Sequence, residues 1–254
     1  MARIAVAGAT GRIGRHVVDV LSADGHDVVA ISRSSGVDVI TGDGLTAALD
    51  GVEVIIDTAT SPSAEQGTAT EFFVTAAQNL HQAGSRAGVR RMVVVSIIGT
   101  DRFTAGYGAA KVAHERAALA GPIPARILRA AQFYEFVDVL MSWSRQGDTV
   151  YLPKMRTQAV AARTVAEALA ALALDPAPEP AAGAPIPEIA GPREEYLPDL
   201  AAQLAARRGD PVKVEAVDNP ADPDDALNAN GGLLPSPHAT LAGPTFTEWL
   251  DANV

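Results

Sequence analysis

Apolar residues fall into two patterns along the chain. Short unbroken runs occur at Ile4–Ala7, Val28–Ile31, Val52–Asp57, Met92–Ile98 and Ala125–Arg129. Between them, apolar residues return every three or four positions, as in Ile13, Val17, Val18, Val20 and Leu21. Unbroken runs suit strands buried on both faces of a parallel sheet, and the longer period suits helices packed on that sheet. The predicted helices cover Ile13–Leu21, Leu45–Leu49, Thr70–Arg86 and a stretch from Tyr107 through Leu119. Phe72, Phe73, Ala76, Ala77 and Leu80 form the core face of the long one, and His81 reads as a surface residue. Val37–Ile40 reads as a short third strand, which makes Met92–Ile98 the fifth and Ala125–Arg129 the sixth. Strand and helix alternating in this way predict an α/β fold with a doubly wound parallel sheet.

The last third is less regular. Phe133–Trp143 gathers aromatic and apolar residues, part of which must be core. Val150–Pro153 and Gln158–Ala161 read as short strands or loops, and Thr164 as the cap of a helix running to Leu174. A Pro/Ala-rich surface loop (Asp175–Pro187) precedes a strand at Ile186–Ala190, a helix at Leu197–Arg208, a strand at Val212–Val217 and a terminal helix at Phe246–Leu250. No repeat or linker divides the chain, so residues 1–254 read as one domain, with elements that cover a substrate lying mainly in 130–254.

The first strand runs into Gly8, Gly11 and Gly14, spaced G-x-x-G-x-x-G. Gly8 permits a sharp turn, Gly11 lets a diphosphate approach the backbone, and Gly14 lets the helix pack closely. The helix start adds open N–H groups and a dipole that favours an anion. Strand before and helix after supply the context that a dinucleotide needs. Thr10, Arg12 and Ile13 fill out the loop. The next strand ends in Ser32-Arg33-Ser34-Ser35, where an acidic residue would have favoured NAD. Arg33 can instead fork onto a 2′-phosphate, and Arg12 can reach the same group, so NADP is the expected cofactor. Asp43 can accept from the adenine amino group or cap the short helix that follows. Thr58, Ala59 and Thr60 are small residues at the end of the fourth predicted strand, where the adenosine side of a dinucleotide can lie against the backbone.

Tyr107 and Lys111 are four residues apart and therefore share one helix face, turned toward the crevice. A nearby ammonium lowers the pKa of a phenol, which can then exchange a proton with a carbonyl oxygen as hydride reaches or leaves the carbon. Lys111 can also hydrogen-bond the nicotinamide ribose, and Ser96 can polarise the carbonyl.

GATGRIG at 8–14, Ser96 after an apolar strand, and Tyr107 with Lys111 together resemble the short-chain dehydrogenase/reductase superfamily. The glycine loop with a basic residue after strand two is most similar to its atypical, NmrA-like NAD(P)-binding branch, over the whole chain. The resemblance implies a Rossmann-type fold. It also implies that the segment around Gln132, Phe133 and Phe136 lies near the nicotinamide and forms a wall of the substrate site. The family includes reductases of carbonyls and quinones, epimerases, and NADP-binding sensors without activity. The sensors lose the tyrosine, which this chain keeps. The expected function is NADPH-dependent reduction of a small or medium apolar carbonyl compound or quinone. A non-catalytic redox sensor, or an isomerase, epimerase or dehydratase with tightly held cofactor, is the alternative.

The formal charge of −10 argues against a nucleic-acid partner. No run approaches the roughly 20 apolar residues that cross a bilayer. With no cysteine, no signal-peptide pattern at the start and five scattered histidines, a cytoplasmic protein without a metal is expected, acting as a monomer or homodimer on a small molecule.

Overall fold

The computed structural model describes residues 1–254 except Pro180 and Ala182. Its first half alternates β1 (Arg3–Ala7), α1 (Gly14–Ala23), β2 (Asp27–Ile31), α2 (Leu45–Ala48), β3 (Val54–Asp57), α3 (Gln66–Ala87), β4 (Arg91–Ile97), α4 (Gly106–Ala120) and β5 (Ala125–Ala130). The second half holds α5 (Tyr134–Ser144), β6 (Arg145–Gln146), β7 (Thr149–Pro153), β8 (Arg156–Thr157), α6 (Ala162–Leu174), β9 (Glu188–Ala190) and β10 (Glu195–Tyr196). It ends with α7 (Leu197–Arg208), β11 (Lys213–Val217), α8 (Asp225–Ala229), β12 (Thr240–Leu241) and α9 (Phe246–Asn253).

Seven parallel strands form the central sheet in the order β12-β9-β5-β4-β3-β1-β2. Side chains alternate across each strand, so the sheet feeds two apolar layers. One joins Ile4, Val6, Ile56 and Val93 to Val17 and Leu21 of α1 and to Val165 and Leu169 of α6. The other joins Ala5, Ile55 and Val94 to Leu45 of α2, Leu80 of α3 and Ala118 of α4. This is the Rossmann-like, doubly wound α/β architecture.

Val37–Ile40 forms no strand. The Asp38 carboxylate accepts from the Ile40 and Thr41 N–H groups, and Asn79 of α3 donates to the Val39 and Ile40 carbonyls. Backbone groups that would have met a strand are thereby bonded to side chains. The sheet stops at β2, and its order reverses between β1 and β3.

A third core lies outside the sheet. Tyr134, Val137 and Met141 of α5 pack with Val150 and Leu152 of β7, Leu200 and Leu204 of α7, and Phe246 and Leu250 of α9. A small sheet, β11-β7-β6, backs it. The aromatic stretch 133–143 is thus divided: Tyr134 sits against Phe246 and Trp249, whereas Phe136 and Trp143 meet edge to face on the open side. The Pro/Ala-rich loop is tied to the sheet by Arg126 and Arg91. Arg126 is buried, donates to the Asp175 and Ala177 carbonyls and pairs with Glu179, which Arg91 also binds. No helix among the described residues is long and apolar enough to cross a membrane.

Two further expectations are corrected. Helix α6 begins at Ala162 after Ala161, and the Glu135 carboxylate, not Thr164, accepts from the Ala162 N–H. His81 is buried, not superficial. Its Nε2 lies 2.8 Å from the Ala118 carbonyl, and the Ile123 N–H donates to its Nδ1 at 3.4 Å. Burial lowers its pKa, so the ring stays neutral and ties α3 to the end of α4. Gly121 leaves room for that ring, since a Cβ there would lie 2.2 Å from it. Gly121→Ala should therefore cost about 1–3 kcal/mol, measured by urea denaturation, as overpacked sites do.

Candidate functional site

The site starts where sheet order reverses. Gly8 leaves β1 at φ 74°, and its N–H donates to the Ile31 carbonyl of β2. A Cβ on Gly8 would stand 2.8 Å from the Thr58 carbonyl and 2.9 Å from the backbone of Ala59. The Thr58 hydroxyl donates to the Ala7 carbonyl at 2.7 Å, which clamps the end of β3 to that of β1. A Cβ on Gly14 would stand 2.1 Å from the Gly8 carbonyl, and one on Gly11 would stand 3.0 Å from it. Gly8 and Gly14 are thus required by the loop's own packing, and Gly11 sits at a tight contact. Thr10, Gly11 and Arg12 are exposed along the crest, and Ile13 is buried beneath. Ile13 caps α1 with no side-chain acceptor, and the first turn carries no acidic residue. The Arg15 N–H donates to the Gly11 carbonyl at 3.2 Å, while among the described residues the Ile13 and Gly14 N–H groups meet no acceptor and are open to an anion. These residues fit the diphosphate of a dinucleotide.

Ser32 and Ser35 cap each other across the turn after β2, which leaves Arg33 exposed. Among the described residues, Arg33 forms no ion pair. Ser32 and Ser34 hydrogen-bond each other at 2.9 Å. Asp43 does not cap α2: Gly44 precedes that helix without a side-chain bond, and Asp43 is exposed. The Arg12 guanidinium lies 5.5 Å above the Phe136 ring.

Tyr107 occupies the first turn of α4, half-buried against Phe73 at 5.6 Å between ring centres. Burial pushes its phenol up to about 12, and a hydrogen bond with Thr60 opposes this. Lys111 shares its helix face but does not act on it. The Lys111 side chain is buried, with Nζ donating to the Val95 carbonyl at 2.8 Å and lying 2.9 Å from His114 Nδ1. His114 Nε2 lies 3.0 Å from Asp57 Oδ2, and Asp57 Oδ1 accepts from the Ala59 N–H. The expected lowering of the phenol by Lys111 is therefore corrected, because the ammonium is directed into the floor of the crevice. Burial lowers Lys111 itself to about 8, while Asp57 and Glu115 pull it back up. Ser96 is also in this floor, and its Oγ is buried without a hydrogen-bond partner.

Asp57, His114 and Asp224 escaped the sequence reading. His114 could have been found, being three residues beyond Lys111 on the same helix face. Asp57 is 57 residues away from His114 and becomes its partner only when β3 and α4 meet. Asp224 accepts from the backbone of Thr104 and Ala105 and so caps the start of α4 from the far end of the chain.

Gln132, Phe133 and Phe136 are brought together along one nearly closed cleft with Leu140, Met155 and Thr157. Its free volume is about 10 Å³. No charged side chain lines it, and its two polar groups, Thr157 and Gln132, hydrogen-bond each other.

Residues 8–176 match a sequence family described as NAD(P)H-binding. A segment of 105 residues is 33% identical to the L-arabinose 1-dehydrogenase (NAD(P)(+)) of Haloferax volcanii, covering 38% of this chain and 41% of the relative. The chain thus spans about two fifths of that relative's length. Among solved structures, MoeE5 in complex with UDP-glucose and NAD is similar with a TM-score of 0.74 and 21% identity, over 98% of this chain and 96% of that one. The UDP-N-acetylglucosamine 4-epimerase from Bacillus cereus gives 0.70 and 18%, over 99% and 95%. A short-chain dehydrogenase/reductase superfamily protein from Agrobacterium tumefaciens with bound NAD gives 0.68 and 18%, over 98% and 95%. These likenesses show the fold.

The two perturbed groups in the crevice leave opposite marks on stability. Lys111 holds its proton less tightly folded (about 8) than unfolded (10.5), so the unfolded chain binds more protons in between and stability rises with pH from about 8. Tyr107 holds its proton more tightly folded (about 12) than unfolded (10.0), so above about 10 its contribution falls. Thermal unfolding across pH 7–11 should show that rise, and Lys111→Met should abolish it.

Proposed function

The chain belongs to the NAD(P)H-binding family, and on that premise we propose that it is an NADPH-dependent oxidoreductase that reduces a small or medium apolar carbonyl compound or quinone. The observation that carries this reading is a cradle at the switch point with a protonated phenol beside it. Gly8, Gly11 and Gly14 receive the diphosphate, Thr58, Ala59 and Thr60 the adenosine side of the crevice, and Asp43 remains available to the adenine. Arg33, exposed and without a carboxylate, receives the 2′-phosphate. When bound, the nicotinamide supplies the hydride.

The chain's own residues do the rest. A phenol held near 12 keeps its proton at neutral pH. It therefore suits a donor to a carbonyl oxygen that gains charge as hydride arrives at the carbon. It suits poorly a base that must start an oxidation, as an epimerase requires, and this favours reduction. Lys111 lies one helical turn from the phenol in the floor of the crevice, under the place of the ribose, and Ser96 lies in the same floor with its hydroxyl buried and unpartnered. Phe133, Phe136 and Gln132 form a mainly apolar wall, with the Arg12 guanidinium 5.5 Å from the Phe136 ring, and this wall supports an apolar carbonyl substrate.

Calorimetry with NADPH and NADH, on wild type and Arg33→Ala, tests the cofactor. NADPH should bind more tightly, and Arg33→Ala should weaken it by roughly 10- to 100-fold while sparing NADH, as expected for a charge-assisted contact. NADPH oxidation against quinones, ketones and aldoses then tests the chemistry, and Tyr107→Phe should slow turnover by roughly 100-fold or more. Interconversion of UDP-sugars without net NADPH loss would instead favour an epimerase, binding without turnover a sensor, and failure to bind either nucleotide would overturn the reading.

A further inference from the structure

The floor of the crevice holds three ionisable side chains that the proposed reaction uses only in part. Asp57 is fully buried, and His114 and Lys111 are nearly so. We propose that Asp57 and His114 are positioning residues for Lys111, forming a buried chain in which the carboxylate supplies the counter-charge of the ammonium through a neutral imidazole. The proposal depends on the preceding reading only in giving Lys111 a place in the crevice chemistry.

The contacts allow one consistent set of protons. An ammonium can only donate, so His114 Nδ1 must accept from Lys111 Nζ at 2.9 Å. Nε2 then carries the ring's proton and donates to Asp57 Oδ2 at 3.0 Å. The ring is held neutral by burial first and by the Lys111 charge second. Burial opposes the charge on Asp57, but the His114 hydrogen bond and the other contacts outweigh it and keep the carboxyl ionised. Glu115 is the other carboxylate near Lys111, but Arg129 already holds it through two hydrogen bonds at 2.9 and 2.8 Å. The remaining ionisable groups packed around the floor are His81 on α3, Tyr107 on α4 and Asp101, which pairs with Arg129. None of them replaces Asp57 as the counter-charge.

Two features separate this arrangement from ordinary core packing. Buried ionised groups cost several kcal/mol each unless they are paired, so an apolar floor would be the cheaper solution for stability alone. The chain also ends on the cofactor cradle. Asp57 Oδ1 accepts from the Ala59 N–H at 2.9 Å, and Ala59 is the backbone that abuts Gly8. At the other end, Lys111 is bonded to the carbonyl of Val95, next to the unpartnered hydroxyl of Ser96. Hydrogen bonds therefore run from the wall of the cradle to the ammonium, with the His114 ring stacked at 4.7 Å on Phe73 and Lys111 Nζ 4.4 Å above the same ring.

The test compares Asp57→Asn, His114→Leu and His114→Gln with the wild type, all without nucleotide. A glutamine can accept from Lys111 through its carbonyl and donate to Asp57 through its amide, whereas leucine can do neither. The pH at which thermal stability begins to rise reports the Lys111 proton. It should fall by about one unit or more in Asp57→Asn and His114→Leu, and stay within about half a unit of wild type in His114→Gln. Nitrogen-15 NMR of the wild-type histidines should show two buried rings, His81 and His114, protonated at Nε2 only and unchanged from pH 5.5 to 7, and only His114 should have its Nδ1 signal shifted in Lys111→Met. A His114 that titrates in that range, or onsets equal in Asp57→Asn, His114→Leu and wild type, would overturn the proposal. If the single variants fail to fold, the wild-type NMR spectrum still decides. Loss of nucleotide binding in wild type would sink the functional reading and leave these signals untouched.

Discussion

The structure depends on the close approach between the loop after β1 and the segment after β3. Gly8 abuts Thr58 and Ala59 so tightly that no side chain fits between them, and the carbonyl of Gly8 leaves none at Gly14. This contact brings the ends of β1 and β3 together, beside the start of α1, which no side chain caps. Because the order of strands reverses there, no crossover helix covers the gap. A cofactor site follows from the topology with very few dedicated side chains.

Beneath that crevice the protein accepts an expense that a purely apolar core would avoid. Asp57, His114, Lys111, Glu115 and Arg129 are gathered under the ends of β3, β4 and β5, mostly out of contact with water. Each charge has a partner, and the imidazole between Asp57 and Lys111 needs no charge of its own. The same burial gives Tyr107 a phenol that keeps its proton. Lys111 and Tyr107 share a helix face, yet their environments differ: one is directed into the paired floor, the other toward Thr60 at the rim.

The C-terminal third packs an apolar core of its own outside the central sheet. Its core around Tyr134, Leu200 and Phe246 supports α5, which presents Phe136 to Arg12 of the glycine loop. Asp224 reaches back to cap the start of α4, and Gly232 lies so close to Gly99 that a Cβ at Gly99 would meet its carbonyl at 2.0 Å. The helix that carries Tyr107 is therefore held at its start by residues more than a hundred positions downstream.

Local pattern determined most of the fold. The apolar runs at β1 to β5 and the helical periods between them are strong because each element buries a continuous face, and the glycine triplet was legible because its spacing is a backbone requirement. The apolar segment Val37–Ile40 looked like a strand because it is short and apolar, but Asn79 and Asp38 claim its backbone groups, and Asn79 lies on a distant helix. His81 and Lys111 were legible as residue types at helical spacing, while their surroundings depended on what packs against the helix. Arg12 was legible as a basic residue of the glycine loop, while its place over the Phe136 ring depends on how α5 packs beside that loop. Periodicity and glycine spacing are properties of neighbours in sequence, so the sequence alone determined the layered sheet and the cofactor cradle. Charge pairing and burial are properties of neighbours in space, so only the tertiary structure decided which groups face the crevice and which protons they hold.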